Sequence, residues 1–436
     1  MWSNSQIGSF ILEKYEKLIL DLLNLKPSSI KSIDSCKTED DILLIRLVLS
    51  KPSHCECPYC SSTKLLSKGY IETKINHSTD YLQPSVIYCK KPRYRCTQCH
   101  KTFTSNFYLN PQYTQITYAT IQKIMYCLKS HTLTFTQTVK IVGCSIPTVI
   151  RTFDKYCHLA PLSFPEVLCI DEVYTKNSDY DSKYNCIFYD FFQKTVIDVT
   201  PCREETLLNY LDLFSQLERN IVKFVCIDMH RPFKDVIQIK FKKAIICVDS
   251  FHVIKTLNDC VANIRMRILR QYDSSTQEYY LIKNWKWLLL GSTVNLDNRG
   301  EYNKRFRRHM TYRDLLNAML SIHLDLQNAY ELKEAYLLFN ATGSLDTAAQ
   351  SLDEFYARFV ETNIPEFADF ISAIYHWKEE IINSFTIVHG RRISNGIAES
   401  LNAKIQLIIY NSKGIHNCER RKKRIIYALN KNSFSP

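Results

Sequence analysis

Between Glu166 and His252 the chain carries short apolar runs and amphipathic segments in an order that few architectures accommodate. EVLCIDEVYT reads as a buried strand carrying Asp171, and YNCIFYDFF and TVIDVTPC read as two further strands. EETLLNYLDLFSQL follows as a helix with Leu207, Leu208, Leu211 and Phe214 on one face. VKFVCIDMH then predicts a strand ending in Asp228, RPFKDVIQIKF a helix, and AIICVDSFH a fifth strand ending near Asp249.

Strand, strand, strand, helix, strand, helix, strand is the order of an RNase H-like mixed sheet. Its first and fourth strands are central neighbours, which sets Asp171 and Asp228 side by side. Glu172 competes with Asp171 but points to the opposite face of the strand; Asp249 competes with Asp228 for the second position, and with His252 it reads as a supporting pair. The 170 residues between Asp228 and Glu399 exceed what such a sheet requires. Lys255 to Phe385 carries helical patterns such as NAYELKEAYLLFN, which predicts an all-helical insertion with Trp285, Trp287 and Trp377 in its core.

Upstream, Cys57-Pro-Tyr-Cys60 and Cys96-Thr-Gln-Cys99 are separated by 35 residues. Two such knuckles suit a tetrahedral, structural Zn²⁺, each turn presenting two thiolates. Cys55, Cys89 and His100 are alternative ligands, and a hairpin over Gly69 to Tyr88 is expected to fill the interval. Next comes a helix-turn-helix pattern: a helix near Phe135 to Val142, a turn at Gly143-Cys144-Ser145, and a second helix opened by Ser145 with Pro147 in its first turn. Thr148, Arg151 and Thr152 are expected on its outward face, toward a DNA major groove.

Charge separates the same regions. The chain is +12 in total, with 13 basic and 3 acidic side chains between Cys60 and Lys155 and 8 basic and 1 acidic from Ser400 onward. The rest is net acidic, so the basic blocks mark the surfaces for a polyanion, with Lys90, Lys91, Arg93 and Arg95 central to the first. Nine glycines and the lack of a GxGxxG or GxxxxGK[ST] run argue against nucleotide-binding classes. The 45% hydrophobic and 23% charged composition is that of a globular chain. The start lacks a signal-peptide pattern and no apolar run reaches the ~20 residues of a membrane span, so a cytoplasmic, nucleoid-associated location with reduced thiols and no membrane contact is expected.

These stretches, with HWKEEIINSF and SNGIAESLNAKIQLIIYNSKGIHN, resemble bacterial insertion-sequence transposases of the DDE type, of the ISL-three family, in order from about Cys57 to Tyr427. The resemblance implies an α/β multidomain protein: an RNase H-like sheet with a large all-helical insertion, preceded by a zinc ribbon and a helix-turn-helix domain. It further implies a catalytic triad of Asp171, Asp228 and Glu399 holding two Mg²⁺ or Mn²⁺ ions, acting on the terminal inverted repeats of double-stranded DNA as a homodimer or larger assembly. Asn395 and Asn402 flank Glu399 as supporting residues; Arg391, Arg392 and Lys404 are expected phosphate contacts. The domains expected are residues 1–50 (helix Ile11 to Leu25 and a hairpin), 51–108 (ribbon), 109–160 (helix-turn-helix), 161–254 (first part of the catalytic sheet), 255–390 (insertion) and 391–436 (its second part, with a basic helix). A site-specific DNA-binding regulator with an inactive core, and a structure-selective nuclease on the same sheet, are the alternatives.

Overall fold

The computed structural model describes residues 16–21, 23, 25–78, 84–105, 108–111, 114–159, 163–174, 184–291, 296–412 and 417–430. The chain forms two compact units, Met1–Ala160 with Leu407–Pro436 and Pro161–Gln406. Of the helix expected over Ile11 to Leu25, residues 16–21 are helical and residues 11–15 lie outside the described residues.

The first unit is built on a five-stranded sheet of β1 (Ile30–Glu39), β2 (Ile42–Leu49), β3 (Leu65–Ser78), β4 (Pro84–Cys96) and β5 (Thr102–Thr104). The order is β1-β2-β4-β3, with β5 pairing the end of β4. The β1–β2 hairpin is continuous with the ribbon strands, because β2 pairs in parallel with β4 from Leu43↔Ser85 to Val48↔Lys90. β3 and β4 form the long antiparallel hairpin that fills the interval between the knuckles. Leu47, Ile75, Ile87 and Cys89, fully buried, make the core under this sheet.

Three helices follow: α1 (Tyr118–Lys129), α2 (Phe135–Val142) and α3 (Ile146–Tyr156). Thr134 and Gln137 close a capping box at the start of α2, satisfying two of the N–H groups that a helix end leaves open. Gly143 ends α2 at φ 69°, ψ 24°, where an L side chain is strained, and a Cβ there would meet the Pro84 Cβ at 2.6 Å. Ile121, Ile124, Leu128, Phe135, Val149 and Phe153 interlock as the core of the three helices. Tyr427 completes that core from the helix Cys418–Leu429, which therefore belongs to this unit rather than, as expected, to the second. Three more contacts fasten it. Arg424, buried, donates to the carbonyls of Ser130 and Leu133 at 2.6 and 3.0 Å. Lys129 donates to the Tyr427 carbonyl at 2.7 Å, and Arg420 forks onto Asp154 at 2.7 and 2.8 Å.

The second unit holds a sheet of β6 (Val167–Tyr174), β7 (Tyr184–Asp190), β8 (Val196–Pro201), β9 (Phe224–Ile227) and β10 (Ile245–Val248), in the order β10-β9-β6-β7-β8. β6, β7 and β8 are antiparallel neighbours, as strands joined without a crossover can be, while β9 and β10, each entered from a helix, run parallel to β6. Helix α4 (Glu204–Asp212) buries Leu207 and Leu211, α5 (Arg231–Lys240) buries Phe233, Val236 and Ile237, and α6 (Ser250–Leu269) leaves directly from β10. Among the described residues beyond α6 the regular elements are helices apart from two short antiparallel pairs, Glu301–Asn303 with Arg308–Met310 and Ile387–Val388 with Arg391–Arg392. It returns to the sheet at its β10 edge, where the Asn383 side chain donates to the Ile246 carbonyl at 3.0 Å. Trp377 is buried and Trp285 partly so, whereas Trp287, expected in the core, is 39% exposed and packs edge-on against Tyr312. No described helix is long and apolar enough to cross a membrane.

Candidate active site and cysteine cluster

β6 and β9 are parallel neighbours paired from Val167↔Phe224 to Cys169↔Cys226, so residues just beyond the pairing emerge at one end of the sheet. Asp171 lies there on β6 and Asp228 follows β9. Asp171 is buried; its Oδ1 accepts the Glu172 N–H at 2.7 Å and its Oδ2 accepts the Asn402 amide at 2.6 Å. Burial, and then the neighbouring Asp228 carboxylate, push the Asp171 carboxyl up to about 7. Two close carboxylates resist simultaneous ionisation unless a cation joins them, so this pair is chemically suited to a hard divalent metal.

Asp228 is met by His252, whose Nε2 lies 3.0 Å from its Oδ1; this contact raises the His252 pKa. Asp249 caps α6, accepting the Phe251 N–H at 3.4 Å, and its Oδ1 also accepts the Asn395 N–H at 3.1 Å. Burial raises the Asp249 pKa, opposed by those two N–H donors. Ligand atoms of Asp228, Asp249 and His252 all lie within 4.8 Å of one another. Of the residues read from sequence as a supporting pair, His252 thus sits in direct contact with Asp228 and Asp249 lies close by.

Asn395 and Asn402 belong to the segment around α7 (Gly396–Asn411). Ala398, Leu401 and Ile405 are its buried stripe, leaving Asn402 to reach Asp171. Asn395 accepts from the Tyr189 hydroxyl, and its own Nδ2 is buried without a partner. Glu399 is one turn before Asn402 and so shares its side of the helix. It is exposed and, among the described residues, makes no polar contact, so the structure brings Asp171 and Asp228 together but leaves Glu399 reaching outward. Sequence reasoning passed over His230 and Cys202. Both converge on Glu172 on the other face of β6, Cys202 Sγ at 3.0 Å and His230 Nδ1 at 3.5 Å from its Oε1. The signal available for His230 was its place two residues after Asp228.

In the first unit the four knuckle sulfurs gather within 4.8 Å, with Cys57–Cys99 and Cys60–Cys96 at 3.5 and 3.6 Å. A tetrahedron with metal–sulfur bonds of ~2.3 Å has edges of about 3.8 Å, so the cluster has the dimensions of a four-thiolate metal site. Cys55, Cys89 and His100 stand outside it; Cys89 is a core residue. The two knuckles repeat one backbone design. Cys57 N–H donates to the Ser62 carbonyl as Cys96 N–H donates to Lys101, and the residue after each second cysteine, Ser61 or His100, takes a positive φ of 57° or 60°. The N–H groups of Gln98 and Cys99 point at Cys96 Sγ at 3.4 and 3.5 Å, and the Cys99 donor leads in holding that thiol down to about 6.

The basic residues divide. Lys91, Arg93 and Arg95 alternate along β4 on one face, while Lys90 lies on the other and pairs with Asp34 of β1 at 3.1 Å. On α3, Arg151 is exposed and Thr148 half-buried. Thr152, expected to face outward, is buried and donates to the Thr148 carbonyl at 2.8 Å, because the helical turn that buries Val149 and Phe153 carries Thr152 with them. Arg392 is also corrected. Its guanidinium donates to the carbonyls of Ser384, at 2.9 Å, and Asn340, and lies 3.9 Å from the Phe385 ring centre, so it braces the insertion and presents no donor fork to a phosphate. Arg391 and Lys404 are exposed, Arg391 stacking on Phe191 at 4.8 Å.

Residues 168–425, more than half of the chain, match the model of a transposase family, the ISL-three group of DDE enzymes. No curated protein matches the chain.

Proposed function

Because the chain belongs to the ISL-three family of DDE transposases, we propose that it binds the terminal inverted repeats of an insertion sequence and cleaves and joins DNA strands at the Asp171–Asp228 site. The observation that carries this is the meeting of Asp171 and Asp228 at the ends of two parallel neighbouring strands, with Asn402, from the helix that bears Glu399, hydrogen-bonded to Asp171. The strand order β10-β9-β6-β7-β8, three antiparallel strands and two parallel ones, supports the RNase H-like reading. The capped α2, the left-handed Gly143 and the exposed Arg151 support a helix-turn-helix that reads DNA.

Asp171, Asp228 and Glu399 would hold two Mg²⁺ or Mn²⁺ ions, which when bound supply activation of the attacking oxygen and stabilisation of the departing one. The residues around them prepare that site. Asn402 fixes the Asp171 carboxylate with one Oδ1 still unpartnered and buried beside it. His252 orients Asp228, and Asp249 ties the start of α6 to Asn395. Glu399, with a longer side chain on an exposed helix face, is free to close on the metals when DNA arrives. Cys57, Cys60, Cys96 and Cys99 would hold a structural Zn²⁺. Assembly as a dimer or larger on DNA follows from the need to bring two ends together.

The test is Mg²⁺-dependent cleavage of a duplex carrying the element end. Asp228→Ala is expected to lower the rate by about 10³-fold or more, while specific duplex binding persists. Unchanged cleavage in that variant overturns the assignment; binding without any cleavage by the unsubstituted chain favours a regulator instead.

A further inference from the structure

A groove of about 790 Å³ runs over the sheet of the first unit beside the knuckles. Its walls bring Lys91 and Arg93 of β4 together with Tyr59, Tyr108 and Tyr118. None of its described lining residues is acidic. Glu72 and Lys74, on the same stretch of β3, belong to the opposite face, where Glu72 meets Arg46 at 3.5 Å. The tyrosines are 49%, 85% and 40% exposed, an unusual outlay of aromatic surface on one face. Lys101 sits over the Tyr59 ring at 4.6 Å, adding a cation at the rim.

Charge and shape together select an occupant. Lys91, Arg93 and the rim cation Lys101, with no carboxylate among the described lining residues, ask for a polyanion, which excludes an acid-lined peptide groove. Concavity selects further: duplex DNA is read by elements that protrude into its grooves, whereas a hollow lined by aromatic faces suits a single strand whose bases can turn onto those faces. We propose that this groove binds single-stranded DNA, with phosphates at Lys91 and Arg93 and bases stacked on Tyr59, Tyr108 and Tyr118. The inference rests on the transposase reading for the presence of DNA, and it adds a second, strand-selective surface separate from the helix-turn-helix. An unpaired strand arises whenever an element end is nicked or frayed, so the groove would hold the strand that duplex readers release.

The experiment is fluorescence anisotropy of the full chain, without added Mg²⁺, on a labelled 15-nucleotide oligo-dT and on a labelled duplex of the element end. Tyr108 is so exposed that its truncation leaves no core cavity. Tyr108→Ala is expected to weaken strand binding about 5- to 100-fold, as loss of one stacking partner does, and Tyr108→Phe to retain it. Arg93→Ala is expected to reduce the slope of log affinity against log salt by about 0.7 on the single strand. Duplex affinity stays within twofold for Tyr108→Ala. Strand binding that ignores both Tyr108→Ala and Arg93→Ala overturns the proposal, as does an equal loss on strand and duplex. Mg²⁺-dependent cleavage by a chain with no strand affinity removes the groove and leaves the transposase reading intact. Strand binding that follows Tyr108 in a chain that cannot cut retains the groove and removes that reading.

Discussion

The cysteine cluster and the carboxylate cluster gather ligands by opposite means. In the first, the backbone does the work: two turns of the same design, each with a left-handed residue after its second cysteine, carry the sulfurs to tetrahedral spacing, and N–H groups point at Cys96. In the second, side chains from separate strands and helices converge, and burial together with mutual repulsion raises the Asp171 pKa. The first arrangement is closed, four like ligands and no vacancy, which belongs to structure. The second is open, with Asp171 and Asp228 fixed and Glu399 exposed, which belongs to chemistry on a substrate that must enter and leave.

The strongest way to break this contrast is to remove a thiolate. Cys96→Ser should abolish zinc retention, measured by metal analysis of the purified protein, and unfold the β3–β4 ribbon, since structural zinc supplies about 10–16 kcal/mol in small zinc domains. Limited proteolysis should then cut between Leu65 and Cys96 while the second unit stays protected; a ribbon that remains protected without zinc would show that β-pairing alone holds it. An intermediate effect tests the open site. Asn402→Ala leaves all carboxylates in place but frees Asp171 from its 2.6 Å anchor. It should cost about 10- to 100-fold in metal-dependent cleavage, with a rise in the Mg²⁺ needed for half-maximal rate, as loss of a ligand-orienting neighbour does. A lower rate with unchanged Mg²⁺ dependence would mean that Asn402 contacts DNA instead. The smallest effect sharpens the closed site. Ser61→Gly relieves a positive φ and should stabilise the ribbon by about 1 kcal/mol, read as slower zinc loss to a chelator. A destabilised Ser61→Gly would locate the value of Ser61 in its side chain rather than in its backbone.

Local spacing made much of both clusters legible. Knuckle spacing picked out the four sulfurs that gather within 4.8 Å, and strand order placed Asp171 beside Asp228. Gly143 and the α2 boundaries were readable because a left-handed residue and a cap are short-range demands. What resisted reading was non-local. The parallel pairing of β2 with β4 joins residues about forty positions apart across both a knuckle and a hairpin, and no pattern in either strand announces it. Net charge misled in the same way, since a guanidinium can serve DNA or a distant carbonyl equally well. Arg392 and Arg424 serve carbonyls, Arg424 from nearly three hundred positions away, and the charge of Arg424 counted toward a surface it does not occupy. Thr152 failed on a finer scale, because one residue of rotation decides between groove and core.

The helix Cys418–Leu429 has a consequence during synthesis. Tyr427 fills the core of the three helices and Arg424 satisfies the carbonyls of Ser130 and Leu133, so α1, α2 and α3 remain unfinished for as long as the ribosome is still making the residues from 157 to 417 that separate them from that helix. A chain interrupted before residue 430 leaves Phe153 and its neighbours uncovered, and the three helices are complete only once translation has passed the entire β6–β10 sheet. Completion of the first unit is thereby timed to follow synthesis of the second.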